Sequence, residues 1–453
     1  MKELVITSLL GIGVLAFDIL KLRKFILPLI VVGLLAVVGA SIVDWGMNEN
    51  LFGKNMIIMD NYALGFTSIL CLLTLAWILT STDYFTNEIS RTDLYALVLF
   101  ALCGGYVMCS YTNLVMLFIG IEILSIPMYV LAASNKRDML SNEAGFKYFF
   151  LGALASSILL FGIALVYGAT GSFQLDAIKN VLATAGSGTI MTAGILMIFT
   201  GFAFKVGIAP FHMWTPDVYQ GAPTVITGLM STMVKGAAFA AFFRLYYLGF
   251  TPTLEFTASI FAVLASLSLI VANVMATIQV NAKRLLAYSS ISHAGFMLAA
   301  VMTADSMNPR MLMYYVLVYG IASLTSFNVL YHVSKFQNGA EGYDAFKGLV
   351  KRNPVMAGAM TLSLLSMAGI PLLAGFMAKY FVISHILERG YTWLVIIMVL
   401  TSAVAVYYYL RIIVAMFTPI ENAGRIVSTD SNRIGLLVLS IAMVAMFFLA
   451  AFV

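Results

Sequence analysis

The chain is a succession of apolar runs, most of them close to twenty residues long, joined by short polar links. A hydrocarbon layer ~30 Å thick is crossed by about 20 helical residues, and inside it only a helix or a closed barrel satisfies its own backbone. Runs of this length predict an all-α membrane protein. We place spans near 4–20, 25–43, 61–80, 94–110, 113–133, 144–168, 189–210, 222–247, 256–279, 283–302, 311–334, 355–387, 391–417 and 434–453, about fourteen transmembrane helices. Composition agrees: 62% of the residues are apolar and 10% charged, against roughly 25% charged in a soluble domain.

An even number of spans puts both termini on one side, and the loops say which. Fourteen basic residues fall in alternate links: Lys21, Arg23, Lys24, Arg91, Lys136, Arg137, Lys283, Arg284, Lys335, Lys347, Lys351, Arg352, Arg425 and Arg433. The other ends hold five: Lys2, Lys54, Lys179, Arg310 and Arg389. Positive links stay inside. Both termini are therefore expected on the outer side. Lys147, Arg244 and Arg411 sit near helix ends, where a long side chain can snorkel to the interface.

The same features exclude other classes. Cys71, Cys103 and Cys109 lie within apolar runs, without CxxC spacing or nearby histidines, which argues against a zinc or iron–sulfur site and against a disulfide framework. The net charge of +5 is explained by orientation and needs no nucleic-acid partner. The first span opens without a small-residue cleavage site, so no removable signal peptide is expected.

Four runs carry one charge each: Glu122 at the centre of 113–133, Lys205 in 189–210, Lys235 in 222–243 and Lys379 in 355–387. Each costs roughly 2.5–3.5 kcal/mol on the insertion scale, so each needs a partner or water. One Glu–Lys pair is explained equally well as a structural ion pair. Three lysines against one glutamate leave excess positive charge in low dielectric, which favours groups that gain and lose protons. No arginine occupies these centres, and arginine is the residue that stays protonated. His293, nine residues after Arg284 in a polar stretch from Tyr288, falls near the midplane, where it is a proton carrier or a hydrogen-bonded structural residue. Of the other histidines, His385 lies toward the outer end as a possible exit group, His332 reads as structural, and His212 follows a helix break.

Two runs, 189–217 and 355–388, are about 30 residues long and too long for one straight crossing. Both contain a proline after Gly-Ile: Pro210 in Gly207-Ile208-Ala209-Pro210 and Pro371 in Gly369-Ile370-Pro371. Proline removes a donor and clashes with the preceding turn, and broken helices at membrane depth line protein or water cavities. Each break lies near a buried lysine. Interrupted helices in matching positions suggest inverted repeats around a midplane site. The expected organisation is an N-terminal three-helix segment (1–93), two inverted five-helix repeats (94–247 and 256–417) with discontinuous helices 7 and 12, and a C-terminal helix (418–453).

Three stretches carry a resemblance: GFAFKVGIAPFHMWTPDVYQGAPTVITGLMSTMVKGA (201–237), KRLLAYSSISHAGFML (283–298) and GIPLLAGFMAKYF (369–381). From residue 94 to 417 the chain resembles the antiporter-like subunits of respiratory complex I, the proton-pumping NADH–quinone oxidoreductase. The resemblance implies a translocating subunit in a bacterial inner membrane, with Glu122 and Lys205 as a coupled pair and Lys235 and His293 bridging toward Lys379. It implies partners among the other membrane subunits, paralogues included. NADH, flavin, iron–sulfur clusters and quinone would sit on partner subunits, with no cofactor or redox site on this chain. Of three paralogues, the largest carries a long lateral helix, missing here, and another usually has glutamate where Lys379 stands, so the third fits best. Multisubunit cation/proton antiporters and membrane-bound hydrogenases share the pattern and stand as the alternative. A non-conducting scaffold gains nothing from the buried charges.

Overall fold

A computed structural model describes residues 1–46, 49–52, 56–85, 91–304, 308–420 and 424–450. Lys54 and the last three residues of the final run lie outside the described residues. The chain is built from helices α1 (Lys2–Ile19), α2 (Ile26–Val43), α3 (Asn61–Thr80), α4 (Arg91–Ser110), α5 (Leu114–Ala132), α6 (Met139–Thr170), α7 (Leu175–Ala185), α8 (Thr189–Val206), α9 (Trp214–Gly221), α10 (224–250), α11 (Leu254–Ile278), α12 (Ala282–Met302), α13 (Asn308–Phe336), α14 (Pro354–Ala368), α15 (Ala374–Glu388), α16 (Thr392–Phe417) and α17 (Asp430–Leu449). Many begin on a side chain that accepts an orphan amide. Asp60 caps α3, Asn113 α5, Asp138 α6, Asn281 α12 and Asn353 α14.

Among the described residues, eleven helical runs are long and apolar enough to cross a membrane, one of them the 55-residue run Thr224–Ile278. α1, with charges at Lys2, Glu3 and Asp18, and the short pair α14 and α15 are not among them. One departure from all-helical structure lies in the link after α2, where Glu49–Phe52 and Ile57–Met59 pair as a short antiparallel hairpin. The link after α6 is itself helical: α7 buries Leu175, Ile178 and Leu182 and is amphipathic.

The links meet in two groups at opposite ends of the bundle. At one end Lys2 pairs with Asp44, the Thr112 amide bonds the Met56 carbonyl, and the Leu114 amide bonds that of Phe173. At the other, Asp83 accepts from the Thr429 amide, Arg284 pairs with Asp217, and Asn353 donates to the Ile426 carbonyl. This second end gathers the basic links. Close approach between helices rests on small residues: a Cβ on Gly104 would stand 2.4 Å from the Leu124 amide, and one on Gly162 2.8 Å from the Gly194 carbonyl. α12 forms the buried centre, with Arg284 its only residue that is not buried.

Candidate proton-relay site

The charged residues singled out from the sequence sit on helices that break or bend. α8 ends at Gly207, with φ of 71°, and the next amide, Ile208, bonds back to Ala203 at 3.0 Å. α14 ends in the same way at Gly369, with φ of 87°, and the Ile370 amide bonds to Leu365 at 3.1 Å. This is the cap in which a left-handed glycine lets the following amide satisfy an orphan carbonyl. Pro210 and Pro371 follow in the turns before α9 and α15, where neither needs to donate. Membrane-depth carbonyls left at the breaks find partners: Trp214 Nε1 donates to Phe204 at 2.9 Å, and Lys379 Nζ to Ala368 at 3.0 Å.

Glu122 lies on α5, in the helix that also contains Pro127. Ser125 and Tyr129 follow at three and seven residues, so all three share one face. Lys205 comes to that face: its Nζ donates to Ser125 Oγ at 2.9 Å and Tyr129 Oη at 3.2 Å. Among the described residues no ion pair within 4 Å joins Lys205 to Glu122, and Glu122 Oε1 is buried without a hydrogen-bond partner. Lys205 thus meets two hydroxyls on the face that carries Glu122, without an ion pair to Glu122 itself.

Lys235 follows a π-helical turn, Met230–Val234, a feature that widens a helix locally and recurs at functional sites. It is 3% exposed, and its Nζ donates to the Ser290 carbonyl at 2.9 Å and to Ser290 Oγ at 3.0 Å. One turn along α12, His293 Nδ1 is hydrogen-bonded to Tyr315 Oη at 2.8 Å, and its ring packs on Tyr319. One turn further, Phe296 lies under Lys379 Nζ, 5.2 Å from the ring centroid. Lys379 also reaches Ser402 Oγ at 3.5 Å. α12 thus presents Ser290, His293 and Phe296 in succession between the two lysines.

Hydroxyls and amides fill the spaces around this row. Ser231 and Ser323 share a hydrogen bond of 2.7 Å, Asn273 bonds Ser292 at 2.8 Å and Tyr408 at 3.1 Å, and Ser289 bonds Tyr409. Sequence reasoning missed most of these groups. Ser125 and Tyr129 could have been found from their helical spacing to Glu122, and Ser290 from its polar stretch. Tyr315 and Ser402 had no local signal.

The remaining ionisable groups lie elsewhere. His385 Nδ1 stands 3.7 Å from Glu388, His332 Nε2 3.5 Å from Asp83, and His212 is buried beside the first break. The snorkelling expectation is corrected for Arg244. It is 2% exposed, binds Asp60 at 3.0 and 3.1 Å and donates Nε to the Tyr111 carbonyl at 2.7 Å. Both carboxylate oxygens are reached from the single nitrogen Nη1, and Nη2 is buried without a hydrogen-bond partner among the described residues. Arg411 likewise turns inward, to the Thr277 carbonyl and the Tyr343 ring. Lys147 bridges Glu143 and Asp217. At Asp217 burial opposes the charge, but hydrogen bonds from Lys147 and Arg284 outweigh it and hold the carboxyl below its ordinary range. Among the described residues no group of three or more His, Cys, Asp or Glu side chains could hold a metal ion.

A bundle with two matched helix breaks and a buried row of lysines, a histidine and a carboxylate has the form of an antiporter-like membrane subunit. The family model described as NADH:quinone oxidoreductase/Mrp antiporter, TM, matches residues 112–405. The NADH-quinone oxidoreductase subunit N of Cytophaga hutchinsonii is 40% identical over 434 residues, covering 95% of this chain and 93% of the relative. That of Flavobacterium johnsoniae is also 40% identical, over 94% and 93%. A chain of respiratory complex I from Thermus thermophilus with bound aureothin superposes with a TM-score of 0.85 and 32% identity, covering 99% and 97% of the two chains. A chain of an archaeal membrane-bound sulfane sulfur reductase gives 0.90 at 25% identity over 99% and 94%. On these grounds the chain belongs to the NADH-quinone oxidoreductase subunit N family.

Proposed function

We propose that this chain is a proton-translocating membrane subunit of an NADH–quinone oxidoreductase, driven by quinone reduction on other subunits. The observation that carries this reading is the α12 stripe. Ser290 holds Lys235, His293 follows one turn on, and Phe296 lies under Lys379, so one buried helix joins two lysines through an imidazole. The path runs from Glu122 and Lys205 through Lys235 and His293 to Lys379, with His385 toward the exit. Protons pass between members through the hydroxyls between them, since the charged groups do not touch. NADH, flavin, clusters and quinone belong to partner subunits, and this chain moves protons without a redox centre of its own.

The reading includes fourteen spans. The eleven long helical runs become fourteen when the 55-residue run counts as two, α1 as one, and α14 with α15 as one broken crossing. Residues 94–247 and 256–417 then form two inverted repeats, supported by the same Gly-Ile cap at both breaks. The segments 1–93 and 418–453 flank them. The basic links face the inside of a bacterial inner membrane, with both termini outside. The 38–40% identity to subunit N relatives favours this over a cation/proton antiporter, for which a chain of the Mrp complex from Dietzia sp. offers fold likeness at 20% identity.

The test is a pair of substitutions in the assembled complex. Lys379→Arg keeps the charge but not the ability to release a proton. It should assemble and fail to pump. Lys379→Met should lose pumping as well. Normal pumping by the arginine variant would remove Lys379 from the path and leave it a structural cation.

A further inference from the structure

A groove of about 1270 Å³ opens at the basic end of the bundle between α1, α4, α5 and α6. Asp18, Asp93 and Arg137 stand among the residues at its mouth, Val130 and Phe149 form part of its apolar wall, and Tyr129 lines it as well. Tyr129 lies one turn from the C-terminal end of α5. Helix side chains lean toward the N-terminus, here away from the basic end, so the ring points into the membrane. Its hydroxyl ends opposite Gly152, thirteen residues along α6 from Met139, or ~20 Å at the rise of a helix.

Gly152 makes room for that hydroxyl: a Cβ there would stand 2.3 Å from Tyr129 Oη. The edge of the ring packs on Tyr148. From this seat Oη meets Lys205 Nζ at 3.2 Å. The residue is only 7% exposed, so it closes the groove while touching it. Lys205 then continues through Ser125 Oγ along the face that carries Glu122.

We propose that this groove is the uptake mouth for Lys205 and that the Tyr129 phenol is the relay group at its inner end, which rests on the proton-translocation reading above. A hydronium ion in the groove gives a proton to the phenol oxygen, its own O–H bond breaking to leave water, as the phenol O–H passes its proton to the neutral lysine amine. One O–H bond forms and one breaks at the tyrosine, one N–H bond forms at Lys205, and the phenol is regenerated. Hydroxyl rotation resets it. The hydroxyl also blocks a continuous water file to the lysine, so Lys205 is filled one proton at a time from the basic end.

The assembled complex in proteoliposomes tests this with four variants. Tyr129→Phe keeps the ring and should assemble, with pumping through this subunit reduced at least tenfold. Gly152→Ala should give the same loss by pushing the hydroxyl off its seat, and should add little to Tyr129→Phe, because both act on one group. Asn142→Cys lines the groove, and a bulky impermeant thiol reagent from the basic side should plug it and stop pumping with Tyr129 intact. Lys205→Met separates the two levels of the argument. Loss of pumping in Lys205→Met with normal pumping in Tyr129→Phe and in plugged Asn142→Cys would overturn the uptake route alone. Normal pumping in Lys205→Met would overturn the relay and the route together.

Discussion

At the residue scale, Lys205, Lys235 and His293 bond hydroxyl or carbonyl oxygens instead of meeting carboxylates in ion pairs. A direct buried pair would lock both charges, since breaking it leaves an uncompensated ion. Lys205 on Ser125 and Tyr129, and Lys235 on Ser290, have partners that accept from the ammonium and can donate to the neutral amine, so either state is tolerated. On the proposed path, Glu122, three residues from Ser125, is the charge that stabilises protonated Lys205. Glu122→Ala should therefore leave the complex assembled and lower pumping by on the order of tenfold, the effect of ~1.4 kcal/mol. A normal proton-to-electron ratio in that variant would show that Glu122 does not tune the lysine. Glu122 and the lysines were legible in the sequence because a charge inside an apolar run is conspicuous. Their actual partners were not, because hydroxyl residues are common in membrane helices and only the fold says which ones a lysine reaches.

At the scale of elements, the two helix breaks position the chemistry. Lys379 donates to the Ala368 carbonyl at the C-terminus of α14, where the helix dipole favours a cation. Gly369 makes that approach possible: a Cβ there would stand 3.0 Å from Lys379 Cδ, on a residue with φ of 87°. Gly369→Ala should cost ~1–2 kcal/mol for the left-handed backbone and displace Lys379. Pumping should then fall further than assembly, which comparing native-gel yield with proton flux would show. Gly375→Ala should be worse, because its Cβ would lie 1.8 Å from the Ser366 carbonyl and force α15 away from α14. Equal loss in both variants would mean the break is not what places the lysine. The first break carries a pH dependence. Asp217, held by Lys147 and Arg284, has a lowered carboxyl pKa, so its stapling of α9 holds at neutral pH and is lost as acid protonates it. Asp217→Asn should remove that acid sensitivity in a melting curve taken against pH.

For the whole molecule, the links sort into two ends and the basic ones share an end. With the positive-inside rule, a cysteine at the exposed Lys351 should be labelled by an impermeant reagent only from the inner face. Labelling from outside would reverse the topology and, with it, the direction of the proposed uptake groove. The opposite end is held partly by Arg244, buried against Asp60 across α10 and α3. Arg244→Met should leave Asp60 unpaired and cost up to ~3–5 kcal/mol, seen as lower complex yield and melting temperature. Unchanged yield would show that this end of the bundle is held by its apolar packing alone.

The sequence by itself determined the class, because a backbone in hydrocarbon must satisfy its own hydrogen bonds and runs of about twenty apolar residues leave only helices able to do so. It also pointed to the breaks, since a proline shortly after Gly-Ile removes a donor and crowds the preceding turn in a run too long for one crossing, and to the candidate charges, since nothing masks a lysine among leucines. The short hairpin after α2, the inward turn of Arg244, the hydroxyl partners of the lysines and the groove that ends on Tyr129 were decided only by the tertiary structure. Each depends on which helix faces which. Facing is set by close packing of small residues such as Gly104 and Gly162, and an apolar run that is hydrophobic all round carries no mark of the side its neighbour will take.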